Sequence, residues 1–286
     1  MAKLYVAGTP IGNLQDASAR LRETLAQADI IYAEDTRVTM KLMQVFDLHT
    51  PLQSMHRHNE MEKAAGAARR ILEEDLNAAL VTDAGMPCIS DPGYMLVREC
   101  AALGIEVLSV PGPCAAPSAL SVSGIEGREW TFYGFLPRER RDLEEKLKAM
   151  AGERRAAVVY ESPFRVLDLM ESVSRVLPGV FVSVSCDLTK LHEKTLRGPV
   201  SEVLEIMRAN PKTEKGEYCI VLDMQSLPPE EEAPREEQPL EEELLLTRLM
   251  LEGISLREAQ EKLVENGHRK NAVKSAALRL RRIWEE

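Results

Sequence analysis

The sequence predicts an α/β fold in which strands and helices alternate around a parallel sheet. Four short apolar runs typical of buried strands occur at residues 4–7, 30–33, 78–81 and 105–110. Helical patterns separate most of them, and each run ends in polar residues or in glycine and proline. Because parallel strands joined by helices place their carboxyl ends at one edge of a sheet, we expect the loops to gather there.

The loop after the third run, residues 80–93 (LVTDAGMPCISDPG), is where we expect a ligand site to form. Ligands of open α/β sheets bind outside the carboxyl ends of the strands. Gly85 and Gly93 permit a close approach of the backbone to a ligand. Pro87 and Pro92 stiffen the loop. An ordinary strand-to-helix connection uses the same residue types, so this loop alone leaves both interpretations open.

Two further loops follow strand-like runs. Residues 8–13 (GTPIGN) lack the GxGxxG spacing and the Lys-Ser/Thr pair of phosphate-binding loops, which disfavours a nucleotide-phosphate site. Glu34, Asp35 and Arg37 follow the second run. They could form a buried ion-pair network or reach into a cleft, and the pattern leaves both possibilities open.

Nearby polar residues are predicted to serve structure rather than to bind a metal. Asp16 is placed to cap the first helix, and Asn59 to cap a helix at residues 60–73. His56 and His58 form a His-x-His pair, but no third ligand occurs at metal-binding spacing. We therefore expect no metal site.

A first domain is predicted over residues 1–116 and a second α/β domain over residues 117–225. The strand-like runs of the second domain lie at residues 130–135, 157–160, 180–185, 194–198 and 217–223. The first of these runs leads into a basic segment at residues 138–141. That segment is either the solvated start of a helix or a group of phosphate-binding arginines.

A linker and a small helical module are predicted after the second domain. Residues 226–243 contain eight glutamates and four prolines, a composition typical of an extended linker. Helical patterns follow at residues 241–252, 256–265 and 270–284, so the module is assigned to residues 244–286. Ser255 and Glu258 predict a capping box. The module resembles a helix-turn-helix domain, and a plain helical protein-interaction module fits the pattern equally well.

Composition favours a cytoplasmic protein. The five cysteines are odd in number and show no metal-type spacing, which is typical of unpaired thiols in a reducing compartment. No apolar run approaches the roughly 18 residues of a membrane helix. The net charge of −10 is unevenly distributed, since residues 244–286 hold nine Lys or Arg against six acids. The overall charge therefore does not exclude an RNA partner.

Eight motifs occur in the order known from one family. They are VAGTPIGN (6–13), AEDTR (33–37), HNE (58–60), TDAGMPCISDPG (82–93), VPGPCA (110–115), GFLPR (134–138), YESPFR (160–165) and LTKLHE (188–193). The chain resembles the bacterial 16S rRNA 2′-O-ribose methyltransferases of the tetrapyrrole methylase superfamily over roughly residues 3–225. It departs from their pattern at Met86 and Cys88, where Thr and Gly are usual, and at residues 186–187, where Cys-Asp replaces Arg-Glu.

The resemblance implies a two-domain fold with a cleft between the domains. It implies a homodimer that binds S-adenosylmethionine in that cleft, uses no metal and methylates a cytidine ribose of 16S rRNA in the small ribosomal subunit. The implied donor-binding residues are Pro10, Asp83, Ala84, Gly85, Cys88, Cys114, Ala115, Glu161 and Leu188. The candidates for a base or an orienting group are Glu34, Asp35, Lys190 and Glu193. The expected RNA contacts are Arg37, His58 and Arg138.

Two alternative functions remain. One is methylation of a tetrapyrrole carbon, which the superfamily fold allows. The other is a DNA-binding regulator that acts through the last helices. The EDTR and LTKLHE motifs and the helical module speak against the first, and the large α/β body speaks against the second.

Overall fold

The computed structural model describes residues 1–228 and 241–285. The chain divides into two compact units, Met1–Leu227 and Pro228–Glu286. The first unit contains two β-sheets and the second contains the last three helices. Most of the acidic linker predicted at residues 226–243 lies outside the described residues. Among the residues described, no helix is both long enough and apolar enough to cross a membrane.

The first sheet has five parallel strands, as the alternation of strands and helices predicts. They are β1 (Lys3–Ala7), β2 (Ile30–Ala33), β3 (Leu52–Ser54), β4 (Asn77–Val81) and β5 (Glu106–Val110). Their order across the sheet is β3-β2-β4-β1-β5, with every pairing parallel. The loops after β2, β4, β1 and β5 are therefore neighbours along one edge. The edge strand β3 was not predicted, because three half-buried residues give no apolar run.

Helices cover both faces of this sheet. They are α1 (Ala19–Gln27), α2 (Thr36–Phe46), α3 (Glu60–Glu73) and α4 (Tyr94–Ala102). Tyr32 and Leu80 lie in the core formed with α3 and α4, whereas Ile31 and Val81 lie in the core formed with α1 and α2. Because both faces are covered, the strands show continuous apolar runs instead of alternation.

Of the two predicted helix caps, Asp16 is wrong, and Asn59 has the predicted position without a capping hydrogen bond. Asp16 ends a short 3₁₀ helix, and the side chain of Ser18 caps α1 by accepting a hydrogen bond from the Leu21 amide. Asn59 occupies the N-cap position of α3, but its side chain makes no capping bond. It accepts instead from the His56 amide at 2.9 Å, which closes the preceding turn.

The second sheet is mixed, with order β6-β7-β10-β8-β9. Its strands are β6 (Trp130–Phe135), β7 (Ala156–Glu161), β8 (Phe181–Cys186), β9 (Lys194–Pro199) and β10 (Tyr218–Asp223). Only β6 and β7 pair in parallel; the other three pairings are antiparallel. The associated helices are α5 (Ala115–Ser123), α6 (Arg140–Gly152), α7 (Val166–Val176) and α8 (Val200–Ala209).

Helix α5 joins the two sheets of the first unit. Ala116 and Ala119 of α5 pack on Val158 and Val221 of the second sheet. Residue 116, where the predicted domain boundary falls, thus lies in the first turn of this helix. The opposite face of the second sheet is covered by α6, α7 and α8, which share a separate core.

The second unit is described here by three helices, α9 (Glu241–Leu251), α10 (Leu256–Glu265) and α11 (Lys270–Glu285). Leu246, Leu263 and Val273 meet in its core. The predicted capping box is present, with Ser255 and Glu258 bonded to each other's backbone amides. Residues 241–243, which the prediction counted in the linker, form the first turn of α9.

Candidate functional site

A cavity of about 320 Å³ lies between the loops of the first sheet and the carboxyl end of β7 in the second. This size lies at the lower end of small-molecule sites, which span roughly 300–1,000 Å³. Residues of the central loop, 80–93, form one wall. The rest is formed by Ile11, the start of α5, the ends of β6 and β7, the turn after β8 and the start of β10.

Three loops of the first sheet are fixed to one another through their backbones. Thr9 and Gly85 exchange two main-chain hydrogen bonds, of 3.0 and 3.1 Å. A Cβ atom on Gly112 would lie 2.5 Å from the carbonyl oxygen of Gly8. Glycine is required at this contact because the two loops meet backbone to backbone.

The central loop is held in a strained conformation. Cys88 and Ser90 have φ angles of 68° and 67°, which cost non-glycine residues about 1–3 kcal/mol each. Its end is fixed by Glu60, whose buried carboxylate accepts a hydrogen bond from the Gly93 amide at 2.7 Å. Since Gly93 precedes α4 and offers no side-chain cap, Glu60 serves as the negative charge at that helix N-terminus.

On the second sheet, side chains rather than backbone shape the cavity. The Tyr160 hydroxyl oxygen accepts a hydrogen bond from the Ala116 amide at 3.1 Å, which ties β7 to the start of α5. Glu161 is buried, and its Oε1 atom accepts from the Ser162 amide at 2.7 Å. Its Oε2 atom has no partner among the described residues. Because buried polar atoms are normally paired, this oxygen marks a place for a ligand donor.

Carboxylates cluster at one end of the cavity. Asp83 accepts a hydrogen bond from the Asp35 amide at 3.0 Å, and Glu34 accepts from the Asp83 amide at 3.5 Å. Burial raises the pKa of both Glu34 and Asp83. Burial, with the nearby charges of Glu34 and Asp83, raises the pKa of Asp91 to about 6. Asp91 lines the cavity itself.

Asp35 and Arg37 form an ion pair at the surface, with Asp35 half-buried and Arg37 exposed. Asp35 is the N-cap of α2, and its carboxylate also binds the Arg37 guanidinium. These bonds lower the pKa of Asp35 to about 2. The Arg37 side chain is 87% exposed. The sequence left two environments open for Asp35, a buried ion-pair network or a cleft. Neither of them describes its position well.

Lys190 and Glu193 stabilise the turn after β8. The Lys190 ammonium lies 3.1 Å from Asp187 and 3.2 Å from Glu217. Burial lowers the pKa of Lys190, but the bonds to these two carboxylates raise it overall. Glu193 accepts a hydrogen bond from the Thr189 amide at 2.7 Å. Lys190 is therefore a cation near neutral pH.

The structure brings six of the nine expected donor-binding residues to the cavity: Ala84, Gly85, Cys114, Ala115, Glu161 and Leu188. Pro10, Asp83 and Cys88 are not among its lining residues, whereas Ile11 and Met86 are. Arg37, His58 and Arg138 are exposed, and none of them occurs among the described residues of the lining.

Several lining residues escaped the sequence analysis. Asp91 lies in the motif that the analysis singled out, yet its spacing does not distinguish it from Asp83. Phe135, Tyr160 and Cys219 lie on strands of the second sheet, where the apolar pattern predicts core positions. These residues line a cavity because the two sheets lie close together, which the sequence pattern does not reveal.

The residues present suit S-adenosylmethionine. Ile11, Phe135 and Leu188 offer apolar surface for the flat and aliphatic parts of such a molecule. The unpaired Glu161 oxygen offers an acceptor for its hydroxyl or ammonium groups. Within residues 1–228 and 241–285, no group of three or more His, Cys, Asp or Glu side chains is placed to hold a metal ion.

Comparison with known proteins relates the chain to one family. The family model described as Tetrapyrrole (Corrin/Porphyrin) Methylases matches residues 3–204. "Ribosomal RNA small subunit methyltransferase I" of Escherichia coli O157:H7 is 41% identical over 222 residues, which cover 77% of each chain. The protein of the same name from Thermotoga maritima is 44% identical over 224 residues, 78% of this chain and 98% of that one. About a fifth of this chain therefore has no counterpart there.

Solved structures share the fold at low sequence identity. Diphthine synthase superposes with a TM-score of 0.59 at 12% identity, covering 77% of this chain and 90% of that one. The cobalt precorrin-4 methyltransferase superposes with a TM-score of 0.55 at 20% identity, covering 79% of this chain and 96% of that one. These likenesses support the two-sheet architecture of the first unit.

Proposed function

Because this chain belongs to the tetrapyrrole methylase family and, within it, to the ribosomal RNA small subunit methyltransferases I, we propose that it methylates 16S rRNA. The methyl donor is S-adenosylmethionine, bound without a metal in the cavity between the two sheets. The acceptor is the 2′-hydroxyl of a cytidine ribose in the small ribosomal subunit. The protein acts in the cytoplasm as a homodimer.

The observation that carries the proposal is the cavity itself, with one backbone-built wall and one buried carboxylate. The main chain around Gly85 and Ala115 lets a ligand approach closely, and Ile11 and Leu188 supply apolar surface. The unpaired oxygen of Glu161 accepts a hydrogen bond from the donor. When bound, S-adenosylmethionine supplies an electrophilic methyl group.

The remaining task of the protein is to orient the ribose and to remove its proton. Orientation of two reactants in a fixed site can supply about 7–11 kcal/mol of a reaction barrier. A positioned base typically contributes a further factor of roughly 10²–10⁴. Both tasks fall to side chains near the open end of the cavity.

The four residues expected to act as base or orienting group differ in how well they could accept a proton. The low pKa of Asp35 and the raised pKa of Lys190 make both poor proton acceptors near neutral pH. Glu193 is engaged by the Thr189 amide. Glu34, whose pKa is raised by burial, is the strongest of the four. Asp35, Lys190 and Glu193 position the surrounding loops.

Three exposed side chains are proposed to contact RNA. Arg37 lies in the first turn of α2, and His58 and Arg138 are exposed on the loops after β3 and β6. Phosphate and sugar contacts from such residues orient a nucleic acid without reading its sequence. Binding should therefore weaken as salt increases.

The rRNA assignment is favoured over tetrapyrrole methylation by sequence similarity. The relatives that are 41% and 44% identical carry the rRNA name. The cobalt precorrin-4 methyltransferase is only 20% identical. A DNA-binding regulator would need only the second unit, whereas the cavity and the family match lie in the first.

Product analysis tests this proposal. The purified chain is incubated with methyl-labelled S-adenosylmethionine and small ribosomal subunits that lack the modification, and the rRNA is digested to nucleosides for mass spectrometry. The expected product is 2′-O-methylcytidine at a single position. Label on a base, or no label with intact subunits and bound donor, would refute the proposed function.

A further inference from the structure

We infer that Asp91 is the catalytic base of the proposed methyl transfer, accepting the proton of the ribose 2′-hydroxyl. This inference rests on the proposed function. In the reaction the ribose O–H bond breaks and its proton passes to the Asp91 carboxylate. The ribose oxygen forms a bond to the methyl carbon as the carbon–sulfur bond breaks. The electron pair of that bond stays on sulfur, giving neutral S-adenosylhomocysteine.

The position of Asp91 is the first support. It follows Ser90 on the central loop, is half-buried and lines the cavity assigned to the donor. The cluster of Glu34 and Asp83 lies beside it, at the ends of β2 and β4. Asp91 thus both lines the donor cavity and interacts with this carboxylate cluster.

The availability of its carboxylate is the second support. Across residues 1–228 and 241–285, no hydrogen bond or ion pair engages the Asp91 side chain. By contrast, Glu34 accepts from the Asp83 amide and Glu193 from the Thr189 amide. A base must have a lone pair directed to the incoming hydroxyl, so an unengaged carboxylate that lines the cavity is the better candidate.

The rigidity of the loop is the third support. The left-handed backbone of Ser90 turns the chain immediately before Asp91. A Cβ atom on Gly134 would lie 3.2 Å from the Ser90 hydroxyl oxygen, so β6 lies close against the loop. Glu60 fixes Gly93 on the other side. Asp91 therefore lies between a strained residue, Ser90, and a fixed one, Gly93, and such strain is typical of functional sites.

The charges around Asp91 suit proton transfer. Burial raises the pKa of Asp91 most, the charges of Glu34 and Asp83 raise it further, and Arg57 lowers it. The charge of Asp91 in turn contributes to the raised pKa values of three nearby groups, Cys88, Cys114 and Tyr160. With a pKa of about 6, Asp91 is ionised at neutral pH yet remains a stronger base than an ordinary aspartate.

The first test compares Asp91→Asn with Asp16→Asn. Asp16 is exposed on the 3₁₀ helix outside the cavity, so its variant serves as the matched control. Single-turnover methyl transfer by Asp91→Asn should fall by roughly 10²–10⁴-fold, the usual contribution of a positioned base. Calorimetry should show S-adenosylmethionine binding within about threefold of wild type, and Asp91→Glu should recover part of the rate. Wild-type activity in Asp91→Asn would refute the inference, and so would loss of donor binding.

The second test uses the pH dependence of single-turnover rates. The wild-type rate should fall below about pH 6 as Asp91 becomes protonated. Because Glu34→Gln removes a negative neighbour of Asp91, the acid limb of the transfer that remains should move to lower pH. The residual activity of Asp91→Asn should lack this limb. The inference is refuted if Glu34→Gln abolishes transfer while Asp91→Asn keeps the wild-type limb.

These outcomes separate the inference from the proposed function. If the wild-type protein transfers no methyl group to small subunits, the proposed function itself fails. If the wild type is active and Asp91→Asn equals it, only the assignment of Asp91 fails, and the rRNA methyltransferase activity stands.

Discussion

The two walls of the cavity are built by different means. The wall from the first sheet is held by main-chain contacts, between Gly85 and Thr9 and between Gly112 and Gly8. The wall from the second sheet is made of side chains, chiefly Tyr160 and Glu161. Substitutions in the first wall should therefore alter donor affinity by changing the shape of the cavity. Substitutions in the second wall should alter it by removing single polar interactions.

This difference explains what the sequence could reveal. A backbone-built wall requires glycine and proline at fixed places, and these residues make the loops visible as motifs. A side-chain wall depends on which face of a strand turns to the cavity. From the apolar runs alone, Tyr160 and Cys219 are predicted to be core residues. The packing of the second sheet shows that they also line the cavity.

The largest effect is expected from Gly112→Ala. The added Cβ atom would lie 2.5–2.8 Å from backbone atoms of Gly8, and backbone cannot yield as a flexible side chain can. We expect donor binding to weaken by at least about 100-fold and the free energy of unfolding to fall by about 1–3 kcal/mol. Calorimetry and urea denaturation measure the two quantities.

Gly66→Ala is the matched control for Gly112→Ala. Gly66 lies within α3, and its Cβ atom would meet no atom within 4 Å. Alanine there should raise stability by about 0.5–1 kcal/mol and leave donor binding unchanged. Equal effects of the two substitutions would contradict the view that backbone contact shapes the first wall.

Glu161→Gln tests the second wall with a smaller expected effect. Hydrogen bonds to a charged group contribute about 1.5–3 kcal/mol, so donor affinity should fall by roughly 10- to 150-fold without a change in shape. Glu145→Gln, on the exposed face of α6, is the control. Unaltered donor affinity in Glu161→Gln would remove the unpaired carboxylate oxygen from the site.

Asp91→Asn should also change stability, in a direction set by pH. The folded-state pKa of about 6 lies above the ordinary value of 3.8, so ionisation of Asp91 costs stability as pH rises through that window. The variant should therefore melt at a higher temperature than wild type at pH 7.5, with the difference vanishing below about pH 4. A lower melting temperature at pH 7.5 would show that the charge of Asp91 stabilises the fold instead.

Removal of the second unit should affect donor binding least. The Thermotoga maritima relative is matched over 98% of its length by 78% of this chain, so a related enzyme manages without a comparable extension. A chain cut after Leu227 should bind S-adenosylmethionine within about twofold of the full chain. Its activity on RNA should drop through weaker substrate capture, seen as a raised KM. A loss of donor binding would show that the second unit supports the cavity.

Particular residues show where sequence reasoning stops. The strands of the first sheet are predictable because both faces are buried, which leaves continuous apolar runs such as that of β4. Ser18 and Asp16 are both residue types that cap helices. Because α1 begins at Ala19, Ser18 is the cap. Asp83 and Asp91 occur in the same motif, so the sequence does not distinguish them. The structure shows that Asp91 lines the cavity and Asp83 does not.

The most direct test of the central claim changes one atom of the acceptor. Small subunits are reconstituted with cytidine or 2′-deoxycytidine at the target position, and methyl transfer from labelled S-adenosylmethionine is measured on both. The account predicts transfer to the ribose substrate and none to the deoxyribose substrate, although both bind equally well. Label on the deoxyribose substrate would contradict ribose methylation and would leave only the fold and the donor site standing.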